Sequence, residues 1–176
     1  MRRRTLFVLI AVVVLSLAAA GAVQAKAPDM GDRSGDLDLA LNLGAVVGEP
    51  PAPLDGITWY GTVEFDGVLY DIVYRTSPPV GNDVVTHWAE SWQVFALGEA
   101  GLEFDNGFIT GFDAEAVPLM VGFDTGITHM KRSTWMGNGP IRMASGPFAL
   151  WEGRQSHTWG DIDFATLTGI GTLRLN

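Results

Sequence analysis

Cysteine is missing from this chain altogether. That excludes a disulfide framework, a Cys-ligated zinc site, a Cys nucleophile and a bacterial lipid anchor on cysteine. Cations are scarce too: 11 Lys and Arg stand against 20 Asp and Glu, a net charge of −9. Neutralising phosphates needs Lys and Arg, so no nucleic acid is expected as a partner, and no anionic membrane surface. Charged residues make up only 18% of the chain and hydrophobic ones 47%, a balance that buries a core rather than leaving a disordered chain. Helical periodicity is absent after residue 26. There is no Gly-x-Ser-x-Gly elbow, no Walker loop and no dinucleotide fingerprint, so neither a serine hydrolase nor a nucleotide cofactor is expected.

What the chain does have begins with an export signal over residues 1–25. Arg2, Arg3 and Arg4 give a positive start, Leu6 to Val23 an unbroken run of 18 apolar or small residues, and Ala22-Val23-Gln24-Ala25 small residues at −3 and −1 of a cut after Ala25. The rival is an uncleaved anchor, for which 18 residues barely suffice. Arg3-Arg4-Thr5-Leu6-Phe7 also allows a twin-arginine route. Either route ends outside the cytoplasm, in the periplasm or at the cell exterior. Cleavage would move the net charge to −12 and leave no membrane contact.

Residues 26–55 read as an acidic Pro/Gly-rich linker or N-terminal extension, with Pro28, Pro50, Pro51 and Pro53 stiffening it. Within it Leu37-Asp38-Leu39-Ala40-Leu41-Asn42-Leu43 alternates apolar and mostly polar residues. A mobile tether is the narrowly favoured reading; one short strand added to a sheet edge is the other.

Residues 56–176 read as β throughout. Ile57, Trp59, Gly61, Val63 and Phe65 alternate with polar neighbours, which means one buried face and one wet face. Asp66-Gly67 supplies the two positive φ values of a type I′ turn. The return strand then sets Phe65 opposite Val68, Val63 opposite Tyr70 and Trp59 opposite Tyr74. Further strands are expected at 84–97, 107–116, 119–130, 140–151, 156–164 and 166–175. Gly111, Gly122, Gly126, Gly146, Gly160, Gly169 and Gly171 lie in or beside them, as expected of bulges, bends or barrel corners. Eight antiparallel strands in one domain predict an all-β, roughly eight-stranded closed barrel; a two-sheet sandwich is the alternative.

Ala144-Ser145-Gly146-Pro147-Phe148-Ala149-Leu150-Trp151-Glu152-Gly153-Arg154, followed by Gly160, resembles a strand-turn-strand segment of allene-oxide-cyclase-like and dirigent-like barrels. The closing Gly171-Thr172-Leu173-Arg174-Leu175-Asn176 is similar to the last strand of small secreted bacterial barrels of unknown function. The resemblance covers the last third of the chain and is mostly glycine spacing. It implies a calycin-like barrel and carries no catalytic residue across.

The chemistry is expected on His87-Trp88-Ala89-Glu90-Ser91-Trp92-Gln93-Val94-Phe95. If the face bearing both tryptophans points inward, Glu90 is a carboxylate between two indoles. Burial raises its pKa, which suits a general acid or base, or the binding of a ligand's polar head. The bland alternatives are an ion pair with Arg142 or Arg154, or an outward Glu90 with His87 and Gln93 inside. Candidate ligand-binding residues are Trp59, Tyr70, Trp88, Glu90, Trp92, Trp135 and Arg142. Trp135-Met136-Gly137-Asn138-Gly139-Pro140 reads as a loop, either a hydrophobic lip at the barrel mouth or a segment pinned to the core by Trp135.

No metal is expected: His87, His129 and His157 lack ligand spacing, and neither Asp161-Ile162-Asp163 nor Asp105-Asn106-Gly107 makes a calcium loop. No cofactor is expected either, and the separation of paired carboxylates for glycoside hydrolysis is invisible in sequence. Three functions stay open: a secreted barrel binding a small apolar or amphipathic ligand in its lumen, a barrel enzyme (cyclase, isomerase or hydrolase) with Glu90 as acid or base, and a packed extracytoplasmic interaction module. An open lumen separates the first two from the third.

Overall fold

The computed structural model describes residues 37–46, 57–105, 108–113 and 115–176. The export-signal reading therefore lies outside the described residues, as does most of the linker reading. The strands are β1 (Leu37–Val46), β2 (Ile57–Phe65), β3 (Val68–Thr76), β4 (Val80–Gly81), β5 (Val85–Ala96), β6 (Leu102–Asp105), β7 (Phe108–Phe112), β8 (Met120–His129), β9 (Thr134–Ala144), β10 (Gln155–Asp163) and β11 (Thr168–Leu175).

Eight of them close into an antiparallel barrel in the order β1-β2-β3-β5-β8-β9-β10-β11, with β11 returning to β1. Each stave pairs with the next stave of the chain, so closure needs only one contact of long sequence range, that of β1 with β11. The short β4 pairs with the start of β5, and β6 and β7 form a separate hairpin between β5 and β8.

The first hairpin forms as its pattern requires. Asp66 and Gly67 have φ of 51° and 75°, the left-handed values a type I′ turn needs. Phe65 pairs with Val68, Val63 with Tyr70 and Trp59 with Tyr74.

Three segments differ from their sequence reading. Leu37–Val46 is not tether but β1, a full stave between β2 and β11; pairing on both sides satisfies a backbone that the acidic, proline-rich context made look solvated. Residues 140–151 are not one strand. β9 starts earlier, at Thr134, and ends at Ala144, and Gly146–Trp151 form a 3-10 turn. The expected strand 107–116 is only β7, in the side hairpin and outside the barrel. The stave count holds because β1 takes its place.

The 3-10 turn explains why one end of the barrel is solid. Phe148 and Trp151 are fully buried there. Phe148 sits 5.2 Å from Phe65 and 5.1 Å from Tyr70, centroid to centroid, and Trp151 meets Phe65 edge-on at 6.0 Å. These rings, with Leu39, Val63, Ile72, Val94, Met120, Ile141, Leu173 and Leu175, make a closed core. Outside the wall, Tyr60 donates to Asp71 at 2.9 Å and the Gly98 amide donates to its other oxygen at 2.7 Å. A small cluster of Val73, Phe95 and Ala100 packs beside them.

Candidate functional site

Period-two alternation carries Trp88, Glu90, Trp92 and Val94 of β5 to the inside, the orientation in which Glu90 stands between two indoles. At the end of the barrel opposite the 3-10 turn the lumen holds a cavity of about 200 Å³. Trp59, Trp88 and Trp135 stand around it; Tyr74, Thr76, Glu90 and Thr128 are among its polar groups; Leu43, Ile57 and Ile162 are apolar wall.

The indoles are held by small neighbours. A Cβ on Gly126 or Gly137 would collide with Trp88, and one on Gly171 would come within 2.8 Å of Trp135. Glycine on β8, β9 and β11 is thus the recess into which flat rings fit, in addition to the corners and bends expected of it. Trp88 is further fixed by its indole N–H, which donates to Thr128 at 3.0 Å.

Polar chemistry gathers below the indoles. Glu90 and Asp124 are register partners on β5 and β8, and both side chains point inward. Asp124 is fully buried and well satisfied: it accepts from Trp92 at 3.1 Å, Ser156 at 2.9 Å and Thr158 at 3.4 Å. Burial pushes its carboxyl up, and those hydrogen bonds pull it partly back. Among the described residues Glu90 accepts only from Thr76, at 3.3 Å. It keeps some accessible surface because it faces the cavity, while protein encloses it elsewhere. Burial raises it well above the usual carboxylate range, Asp124 adds to the rise, and the Thr76 bond opposes it weakly. Tyr74 completes the set. It is 3% exposed, and its hydroxyl is buried with no hydrogen-bond partner. Burial, then Glu90 and Asp124, hold that phenol well above 10.

The two arginines offered as partners for Glu90 do not pair with it. Arg142 is exposed, beside the inward Ile141, and Arg154 follows the 3-10 turn. Neither lines the cavity. Of the other candidates, Tyr70 packs on Phe148 at the closed end and Trp92 lies beneath, bonded to Asp124. Trp135 lines the cavity from inside strand β9, not from a loop, and Met136 next to it faces outward at 53% exposure. Sequence reading missed Tyr74, Thr76 and Asp124 as a set with Glu90. Tyr74 was legible through the hairpin register, but Asp124 is brought in only by the pairing of β5 with β8.

A second, larger hollow of about 560 Å³ lies on the outer wall over β5, β8, β9 and β10, with His87, His157, Met136 and Trp159. It is open to solvent. No group of three or more His, Asp or Glu able to hold a metal exists among the described residues. Comparisons with protein-family models, curated proteins and solved structures each gave no match.

Proposed function

We propose that this chain is an exported, calycin-like barrel that takes a small apolar or amphipathic molecule into its lumen. The observation that carries this is the cavity of about 200 Å³, walled by Trp59, Trp88 and Trp135 at one end of a barrel whose other end is filled. Concave apolar sites with a few convergent polar groups are where small ligands bind. An eight-stranded barrel has room for packed side chains or one such ligand, and here the two uses divide the length of the lumen. The volume is below the usual range of roughly 300–1,000 Å³ for drug-sized ligands, which favours a small guest. The unpaired Glu90 and the open lumen count against a fully packed interaction module.

Native mass spectrometry of residues 26–176 tests this. The folded protein is expected to carry a small-molecule adduct that disappears on denaturation, or to acquire one from a mixture of small aromatic amphiphiles. Failure of the lumen to hold any of them, with Trp59→Ala behaving like the parent chain, overturns the proposal.

A second reading is favoured by one specific observation: Glu90, pushed up by burial and without a cationic partner among the described residues, is suited to hold a proton and pass it on. On that reading the barrel is an enzyme with Glu90 as acid or base, and Glu90→Gln abolishes turnover while ligand uptake persists.

A further inference from the structure

We propose that the guest of this lumen is an organic cation: a small aromatic or aliphatic body carrying an ammonium group, seated with its charge between Glu90 and Tyr74. This rests on the lumen-binding reading and goes further by naming the charge of the ligand.

The walls favour a cation. Three indoles stand around one cavity, and the faces of aromatic rings attract positive charge, tryptophan most strongly. The polar groups favour it as well. Glu90 carries acceptor oxygens, and Tyr74 and Thr76 hydroxyls can both accept. The Tyr74 hydroxyl is buried without a partner, and Glu90 has only the long bond from Thr76. An alkylammonium brings donors and no acceptor, which matches these open positions.

The charge balance points the same way. The residues lining the cavity include no Lys, Arg or His. Among the described residues the ionisable groups that face Glu90 are Tyr74 on β3 and Asp124 on β8, and neither can supply positive charge. Asp124 is already saturated by Trp92, Ser156 and Thr158, so Glu90 is the carboxyl left for a ligand. An anionic guest would meet the Glu90 carboxyl, with Asp124 buried behind it, and no cation among the described lining residues. A neutral guest would find the polar groups but gain nothing from their charge. With an empty lumen, burial and Asp124 both favour the protonated form of Glu90. An ammonium ion arriving beside it favours the ionised form, so binding releases a proton from Glu90 to solvent.

Three probes of one skeleton test this by titration calorimetry on residues 26–176: 2-phenylethylamine, positively charged at pH 7; 2-phenylethanol, neutral; and phenylacetate, an anion. The amine is expected to bind at least tenfold more tightly than the alcohol, and phenylacetate not to bind. The amine's enthalpy should vary with the ionisation enthalpy of the buffer, the sign of proton release. Glu90→Gln, an isostere of the protonated acid, should bring the amine within threefold of the alcohol and remove the buffer dependence. Trp59→Ala should weaken amine and alcohol together, separating apolar burial from charge recognition. Alcohol binding as tight as the amine, or amine binding unchanged by Glu90→Gln, overturns the cation assignment while leaving lumen binding intact. No binding of any probe, with no uptake from the amphiphile mixture, overturns both.

Discussion

Glu90 and Asp124 are register partners across β5 and β8, with both carboxyl groups directed into the barrel and no cation lining the cavity beside them. Burial followed by Asp124 raises the Glu90 pKa in the folded chain. A carboxyl raised on folding is fully tolerated below its unfolded pKa of about 4.3, and the stability is lost as pH rises through the folded value. Glu90→Gln removes that loss. Thermal unfolding should therefore show the variant more stable than the parent at pH 7, with the difference vanishing toward pH 4. An equal shift at both pH values would mean that ionisation is not the cause.

The indole recess gives a second prediction. Gly137→Ala places a methyl 2.5 Å from Trp88 and 3.2 Å from the Thr158 hydroxyl. Overpacking of this kind costs about 1–3 kcal/mol, and Trp88 must move into the cavity. A Cβ on Gly44 meets only a backbone oxygen at 3.8 Å, so Gly44→Ala should be neutral or stabilise by up to about 1 kcal/mol. Denaturant midpoints of the two variants against the parent check the contrast, and near-ultraviolet circular dichroism should change only for Gly137→Ala.

All three tyrosines of the chain are raised. Tyr60 is pushed up to about 12 by burial and by its hydrogen bond to Asp71. Absorbance titration of the folded protein should thus show less tyrosinate at pH 10.5 than the denatured chain, which titrates near 10. A phenol raised on folding contributes stability that is lost as pH rises through its folded value, so ionisation of the buried Tyr74 should appear together with alkaline unfolding. Asp71→Ala should cost about 2–3 kcal/mol, because it strips an acceptor from Tyr60 and from the Gly98 amide. It should also lower the Tyr60 pKa.

The filled end is the most sensitive to truncation. Trp151 is fully buried against Phe65, and Trp151→Ala should cost about 3–5 kcal/mol. Exposed Trp159, at 37%, serves as control: Trp159→Ala should change stability by less than about 1 kcal/mol. Chemical denaturation of both variants decides this.

Closure is testable by length. A chain starting at residue 36 retains β1 between β2 and β11. One starting at residue 57 leaves both strands with unpaired edges, the condition for edge-to-edge association. Size-exclusion chromatography should show the shorter chain self-associated or aggregated.

Local physics made much of this molecule legible. Alternation sorted the residues of β2, β3 and β5 onto two faces each, because a strand's side chains can only go one way or the other; it leaves open which face of β5 turns inward. Asp66-Gly67 fixed the hairpin register, since few residue pairs accept two positive φ values. Those two facts brought out Trp59, Tyr74, Trp88 and Glu90. Tertiary structure decided the rest. Whether Leu37–Val46 was tether or stave depended on an open slot beside β11, more than 120 residues away in sequence. Trp135 looked like a loop residue because its glycine-rich surroundings read as a turn, while Gly137 is the space the Trp88 ring occupies and Gly139 lets the Phe123 backbone come close. Asp124 met Glu90 only through pairing across the β6–β7 insertion. Periodicity reports what each strand does with its own two faces; closure of the barrel chooses which side chains then share the lumen.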